Sequence, residues 1–138
     1  MERKRNYTKR PTQQGMEMIL LDTNILIEIL KDNQDTLNKI TSLQAPFSIS
    51  SITAMELIYG AKNKNEVQKL ERFIQLFNTI HINENISNQA LQLVTQYAKS
   101  HTLDIPDSLI AATALKHNAS LFTYNVKDFK FIPHLVLI

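Results

Sequence analysis

Asp22, Glu56 and Asp107 are the residues whose type and placement could do chemistry in this chain. Asp22 directly follows the apolar run Met18-Ile19-Leu20-Leu21. Glu56 lies in the first turn of a helix that comes after a second run around Phe47 and Ile49. Asp107 opens a later helix, one residue after Pro106, and Asn125 and Asp128 follow the apolar segment that begins at Ser120. If those apolar runs are parallel strands, their carboxyl ends line one crevice, and the acids meet there. Two carboxylates about 4 Å apart repel by roughly 4 kcal/mol at an effective dielectric near 20. Three in one crevice raise one another's pKa unless a cation neutralises them. An all-oxygen donor set suits a hard ion such as Mg²⁺ or Mn²⁺, which can activate water for hydrolysis. Each acid also has an ordinary structural explanation. Asp22 can cap a helix, Thr53-Ala-Met-Glu56 matches a capping box, Asp107 complements a helix dipole, and Asp128 can cap a short turn. It is their joint placement that favours a site.

That placement depends on the elements. Continuous apolar runs of about four residues suit strands buried on both faces. They predict strands over residues 18–21, 47–50, 79–82, 120–123 and 135–138. Between them lie helical patterns: 25–30 after Asp22-Thr23-Asn24, a stretch with Leu37, Ile40 and Leu43, and a helix from Thr53 to a C-cap at Gly60. Val67, Leu70, Ile74 and Phe77 mark the face of the next helix, and Ile86, Ala90, Leu93 and Tyr97 mark another. The Ala-rich stretch 108–117 packs closely against a sheet. Helices alternating with strands imply an α/β fold of three layers, α/β/α, around a central, mostly parallel five-stranded sheet.

Composition narrows the function classes. The chain of 138 residues is the size of one domain. It has no cysteine, which excludes thiolate metal sites, thiol nucleophiles and disulfides. Two glycines argue against a Gly-rich phosphate loop. His81, His101, His117 and His134 lack metal-ligand spacing, and the scattered aromatics predict no base-stacking platform. No apolar run approaches the roughly 20 residues of a membrane span, so a soluble, cytoplasmic protein is expected. The net charge of +2 is uneven. Arg3, Lys4, Arg5, Lys9 and Arg10 stand against Glu2 alone, leaving the rest of the chain slightly acidic. Residues 1–16 read as a basic, disordered tail, and 17–138 as one domain. Such an arm can bind RNA; Met16 and Met18 also offer alternative starts.

Four motifs occur in order: Leu-Leu-Asp22-Thr-Asn24, Thr53-x-x-Glu56-Leu-x-x-Gly60, Ile105-Pro-Asp107-Ser-Leu-Ile-Ala-Ala-Thr113-Ala, and Leu121-x-Thr123-x-Asn125-x-x-Asp128-Phe129. Together they resemble the PIN-domain family, most closely the VapC-type toxins of bacterial toxin–antitoxin pairs. The resemblance spans residues 18–138 and implies a metal-dependent endoribonuclease that uses Mg²⁺ or Mn²⁺. It implies that Asp22 is a direct metal ligand, that Glu56 is a second ligand or holds a water at the ion, and that Asp107 is the third acid. Thr123 and Asn24 support the site through hydrogen bonds. The fourth acidic position of many members falls on Asn125, a neutral and weaker ligand, which favours one metal over two. Asp104 and Asp128 are read as helix-start residues.

The reaction implied is phosphodiester hydrolysis leaving a 5′-phosphate and a 3′-hydroxyl, with Glu56 or Asp107 orienting the water or taking its proton. The implied partners are an RNA substrate, a small cognate antitoxin and a second copy of the chain in a homodimer. Ile58 and Tyr59 are candidates for the antitoxin groove, with burial in the core as the alternative. Two rival roles stand beside this one: a PIN-like scaffold that binds RNA or protein without cutting, and a PIN nuclease of RNA processing. A receiver domain needs an acidic pair where Asp22 is followed by Thr23 and Asn24, and a phosphoacceptor Asp where Asn83 and Glu84 stand. A haloacid-dehalogenase-type phosphatase needs a second Asp at Asn24. Neither pattern is present.

Overall fold

A computed structural model describes residues 18–138, so the basic stretch 1–16 and residue 17 lie outside the described residues. The element order is β1 (Ile19–Leu21), α1 (Thr23–Leu30), α2 (Gln34–Ser42), β2 (Phe47–Ser50), α3 (Ser51–Tyr59), α4 (Lys64–Ile74), β3 (Asn78–Ile80), α5 (Glu84–His101), α6 (Ile105–Lys116) and β4 (Ser120–Phe122). One turn of 3-10 helix, Val126–Asp128, follows β4. The sheet runs in the order β3-β2-β1-β4, and every pairing is parallel.

β1 is one of the two inner strands, with Ile19 opposite Phe47 on one side and Ser120 on the other. All three of its residues are buried. Side chains alternate across a strand, and this alternation divides the core. Leu20 points into a cluster with Ile86, Ile110, Ala111 and Leu121, which belongs to α5, α6 and β4. Ile19 and Leu21 point the other way, into Ile25, Leu26, Ile49 and Leu57 of α1, β2 and α3. The result is the expected three-layer α/β/α arrangement. Ala111, Ala112 and Ala114 of α6 are buried, as the Ala-rich stretch predicted. Their small side chains let that helix lie close to its neighbours.

Two expectations need correction. Residues 135–138 do not form a fifth strand among the described residues, which hold a four-stranded sheet. They make a single parallel bridge, Leu121 to Leu137, on the outer edge of β4. Leu121 donates its amide to Val136 O at 2.8 Å, and Ile138 donates to Leu121 O at 2.9 Å. The direction and neighbour are those of a strand. Pairing is short because His134, just after Pro133, takes a left-handed φ of 69° that turns the chain at the edge. The second correction concerns α3, which starts at Ser51 rather than Thr53. Ser50 is its N-cap, its hydroxyl accepting from the Ile52 amide. Gly60 does cap the other end.

Candidate active site

Asp22 ends β1 and begins α1 at once. Its amide donates to Phe122 O at 2.9 Å, so the strand ladder fixes its backbone. Its carboxylate caps α1, with Oδ1 accepting from the Thr23 amide at 2.8 Å. The other oxygen, Oδ2, accepts from Thr123 Oγ1 at 2.7 Å and from Asn24 Nδ2 at 3.3 Å. The residue is only 4% exposed. Burial pushes its pKa up, opposed by the hydrogen bonds from Thr123, Thr23 and Asn24, while the charge of Asp128 pushes the same way as burial. Capping and site roles therefore coincide in one side chain.

Thr123 follows β4 directly and is buried. While donating to Asp22 it accepts from the Asn125 amide at 3.0 Å. Asn24 bridges the same two strand ends, its Oδ1 accepting from the Tyr124 amide at 3.2 Å. The three supporting residues expected from sequence thus belong to one hydrogen-bonded group around Asp22. Asn125 contributes its backbone, and the residue itself is exposed.

Glu56 projects from α3 and is exposed. The predicted capping box is not its role, since Thr53 is inside the helix. Its Oε1 accepts from Thr23 Oγ1 at 2.6 Å, and Thr23 Oγ1 also lies 2.9 Å from Thr53 Oγ1. A hydroxyl carries one proton, and a carboxylate cannot donate. So Thr23 gives its proton to Glu56 and accepts from the buried Thr53.

Asp107 stands in the first turn of α6, and its amide donates to the N-cap Asp104 at 2.9 Å. Asp104 is the helix-start residue it was expected to be. Burial, with the negative charges of Asp104, Asp22, Asp128 and Glu56 around it, pushes the Asp107 carboxyl up to about 7. Asp128 is not a helix-start cap. It closes the 3-10 turn, whose N-cap Asn125 makes no side-chain capping bond, and its charge reaches both Asp22 and Asp107. The fold therefore gathers Asp22, Glu56, Asp104, Asp107 and Asp128 into one negative field at the carboxyl ends of β1, β2 and β4.

A PIN-domain model matches residues 19–134. The chain belongs to the PIN-domain family. This PIN domain is 34% identical to Ribonuclease VapC2 of Rickettsia felis over 126 residues, covering 86% of this chain and 94% of that protein. The crystal structure of VapBC2 from Rickettsia felis, bound to a DNA fragment from its promoter, superposes with a TM-score of 0.75. It has 32% identity and covers 88% of this chain and 97% of that one. A toxin–antitoxin complex from Klebsiella pneumoniae gives 0.73 at 34% identity, over 86% and 95% of the two chains.

The donor set of this PIN domain fits a hard divalent cation in its chemistry. It offers oxygens only, and burial together with the surrounding negative charge holds Asp107 near 7. Among the described residues, no three Asp, Glu or His side chains converge closely enough to grip one ion as they stand. A bound cation would supply the attraction that draws such like-charged groups together.

Sequence reasoning missed Thr23 as the tether of Glu56. The available signal was three consecutive polar residues, Asp22-Thr23-Asn24, at one strand end. It also missed Tyr124, which shares a 2.6 Å hydrogen bond with the buried Thr36 of α2.

Proposed function

We propose that this PIN domain is a metal-dependent endoribonuclease and the toxin of a toxin–antitoxin pair. The observation that carries this reading is the buried Asp22 carboxylate, held by three donors where four further acids crowd the same crevice. The ribonuclease name of its relatives and the toxin–antitoxin complexes among its structural neighbours support the substrate and the setting. In this reading Asp22 and Asp107 hold Mg²⁺ or Mn²⁺, and Glu56 is the third acid. When bound, the cation supplies Lewis acidity toward a phosphate oxygen and the attacking water.

The protein's own groups do the rest. Thr123 and Asn24 fix the orientation of Asp22, and α1's first amide holds its other oxygen. Thr23 aims Glu56 from below. Glu56 or Asp107 takes the proton of the water that attacks phosphorus in line, and the 3′ oxygen leaves with a proton from solvent. The neutral Asn125 favours a single ion. Purified protein should cleave RNA with Mn²⁺, and Asp22→Asn or Asp107→Asn should lower cleavage by at least about a hundredfold. Equal cleavage by all three would sink the assignment.

One observation favours the rival of a non-cutting scaffold, namely that the acids do not close on a point. That rival predicts no saturable Mn²⁺ binding by calorimetry. The partner face follows from α3. Tyr59 is 94% and Met55 57% exposed, so neither is a core residue. With Ala54 and Ile58 they line a groove of about 320 Å³. A neighbouring hollow of about 560 Å³, reaching Ile74 and Ile82, extends the apolar surface. In this reading an apolar helix of the antitoxin lies there, and a second copy completes a homodimer. No helix among the described residues is long and apolar enough to cross a membrane, and in this reading the protein meets its RNA substrate in the cytoplasm. Residues 1–16 are proposed as a separate basic tail and 17–138 as the single domain.

A further inference from the structure

The motif Leu121-x-Thr123-x-Asn125 leaves the position between its two polar residues unspecified, and here it is Tyr124. The residue is held at its backbone and at the tip of its side chain. Its amide donates to Asn24 Oδ1 at 3.2 Å, and its hydroxyl shares a 2.6 Å hydrogen bond with Thr36. Thr36 is fully buried in the first turn of α2, where Asn33 caps its amide. Between these anchors the ring packs T-shaped with the buried Phe122, with centroids 5.5 Å apart and planes at 81°. Yet Tyr124 is 48% exposed. An exposed tyrosine usually swings among rotamers, and holding it costs entropy when a ligand binds. This ring is held before any ligand arrives.

Its place decides what it would meet. Tyr124 adjoins Thr123, which holds Asp22, and its own amide holds Asn24, which also touches Asp22. A phosphodiester seated at the acids carries a nucleobase on either side. A fixed aromatic at the rim presents a π face that any base can stack on. We infer that Tyr124 is a substrate-positioning residue, the platform on which a base flanking the scissile phosphate of single-stranded RNA stacks.

The inference rests on the ribonuclease reading, and the experiment separates the two. A random-sequence pool of single-stranded RNA is offered to the full chain with Mn²⁺, and a cleaved member is chosen as substrate. Cleavage kinetics are then measured for wild type, Tyr124→Leu, Tyr124→Phe and Tyr124→Trp, on the intact oligonucleotide and on versions abasic at each flanking position. Tyr124→Leu should raise KM about tenfold, within the range of base–aromatic stacking, and lower kcat far less. Tyr124→Phe and Tyr124→Trp, which keep a ring, should recover most of that loss. One abasic position should cost wild type a similar factor and cost Tyr124→Leu little.

An unchanged KM in Tyr124→Leu, or no sensitive abasic position in wild type, overturns the platform and leaves the nuclease standing. Equal impairment of Tyr124→Phe and Tyr124→Leu also overturns it, because the tether to Thr36 would then be the residue's whole contribution. If Tyr124→Leu does not fold, the wild-type abasic scan and Tyr124→Phe decide. If no member of the pool is cleaved or bound, the ribonuclease reading fails and the platform fails with it.

Discussion

At the scale of single residues, two threonines decide how the acids are presented. Thr123 lies 101 positions from Asp22 in sequence and 2.7 Å from it in space. Thr23 lies 33 positions from Glu56 and 2.6 Å from it. A hydrogen bond to a charged group contributes about 1.5–3 kcal/mol, and Glu56 is exposed, so the low end applies. Thr23→Val keeps the shape of the side chain and removes the proton that Glu56 accepts. The expected outcome is cleavage lowered about tenfold with unchanged secondary structure by circular dichroism. Activity equal to wild type would show that Glu56 needs no tether. Asp22 and Asp107 stood out in the sequence because one follows a strand and the other starts a helix, and Glu56 stood out through its motif, Thr53-x-x-Glu56. The link between Thr23 and Glu56 was not, because no local pattern reports a contact made across two strand ends. The exposure of Tyr124 was hidden for a similar reason. Its neighbours Phe122 and Thr123 are buried, and only packing shows that the chain leaves the core at that point.

At the scale of elements, the alternation of apolar runs and amphipathic stretches was enough for the α/β architecture. It placed β1, β2 and β4 to within a residue. It overshot at 135–138, where the apolar composition of a strand is present but the left-handed turn at His134 leaves room for one bridge. It misplaced the start of α3 because Thr53 and Ser50 are both good caps, and the capping-box pattern Thr53-Ala-Met-Glu56 pointed to the later one.

The first turn of α6 shows how one element combines stability with chemistry. Asp104 caps the helix through the Asp107 amide, and its charge also raises the Asp107 pKa. Asn caps about as well as Asp. Asp104→Asn should therefore leave thermal stability nearly unchanged. It should lower the Asp107 pKa from its present value of about 7 and move the acid limb of the pH–activity profile to lower pH. Asp104→Ala removes cap and charge together, so it should show the same shift in the acid limb and also lose about 1 kcal/mol of stability. A profile that does not move in either variant would mean that Asp107 does not control the acid limb.

At the scale of the whole molecule, the crevice ties folding to charge. In the unfolded chain Asp107 has its ordinary pKa of 3.8, and in the folded protein it is raised to about 7. The folded state thus binds that proton more tightly than the unfolded state. Its contribution to stability is fully present below 3.8 and is lost as pH rises through about 7. Buried Asp22 is shifted in the same direction. A cation at the crevice acts against this trend, because it favours the ionised acids that the fold alone disfavours. It binds the native state, and at a hundred times its dissociation constant it stabilises by about 2.7 kcal/mol. For a chain of this size that corresponds to a melting temperature higher by about 10 °C. Below pH 7 the ion must displace the proton of Asp107, so its affinity falls there. Metal-free protein should therefore melt at a lower temperature at pH 8 than at pH 5.5, other groups apart. Added Mn²⁺ should raise the melting temperature more at pH 8 than at pH 5.5. Asp107→Asn removes the titrating group and a ligand together. It should melt higher than metal-free wild type at pH 8 and gain little from Mn²⁺ at either pH. A Mn²⁺-dependent rise in Asp107→Asn as large as in wild type would place the ion elsewhere, and the linkage between crevice charge and folding would fall.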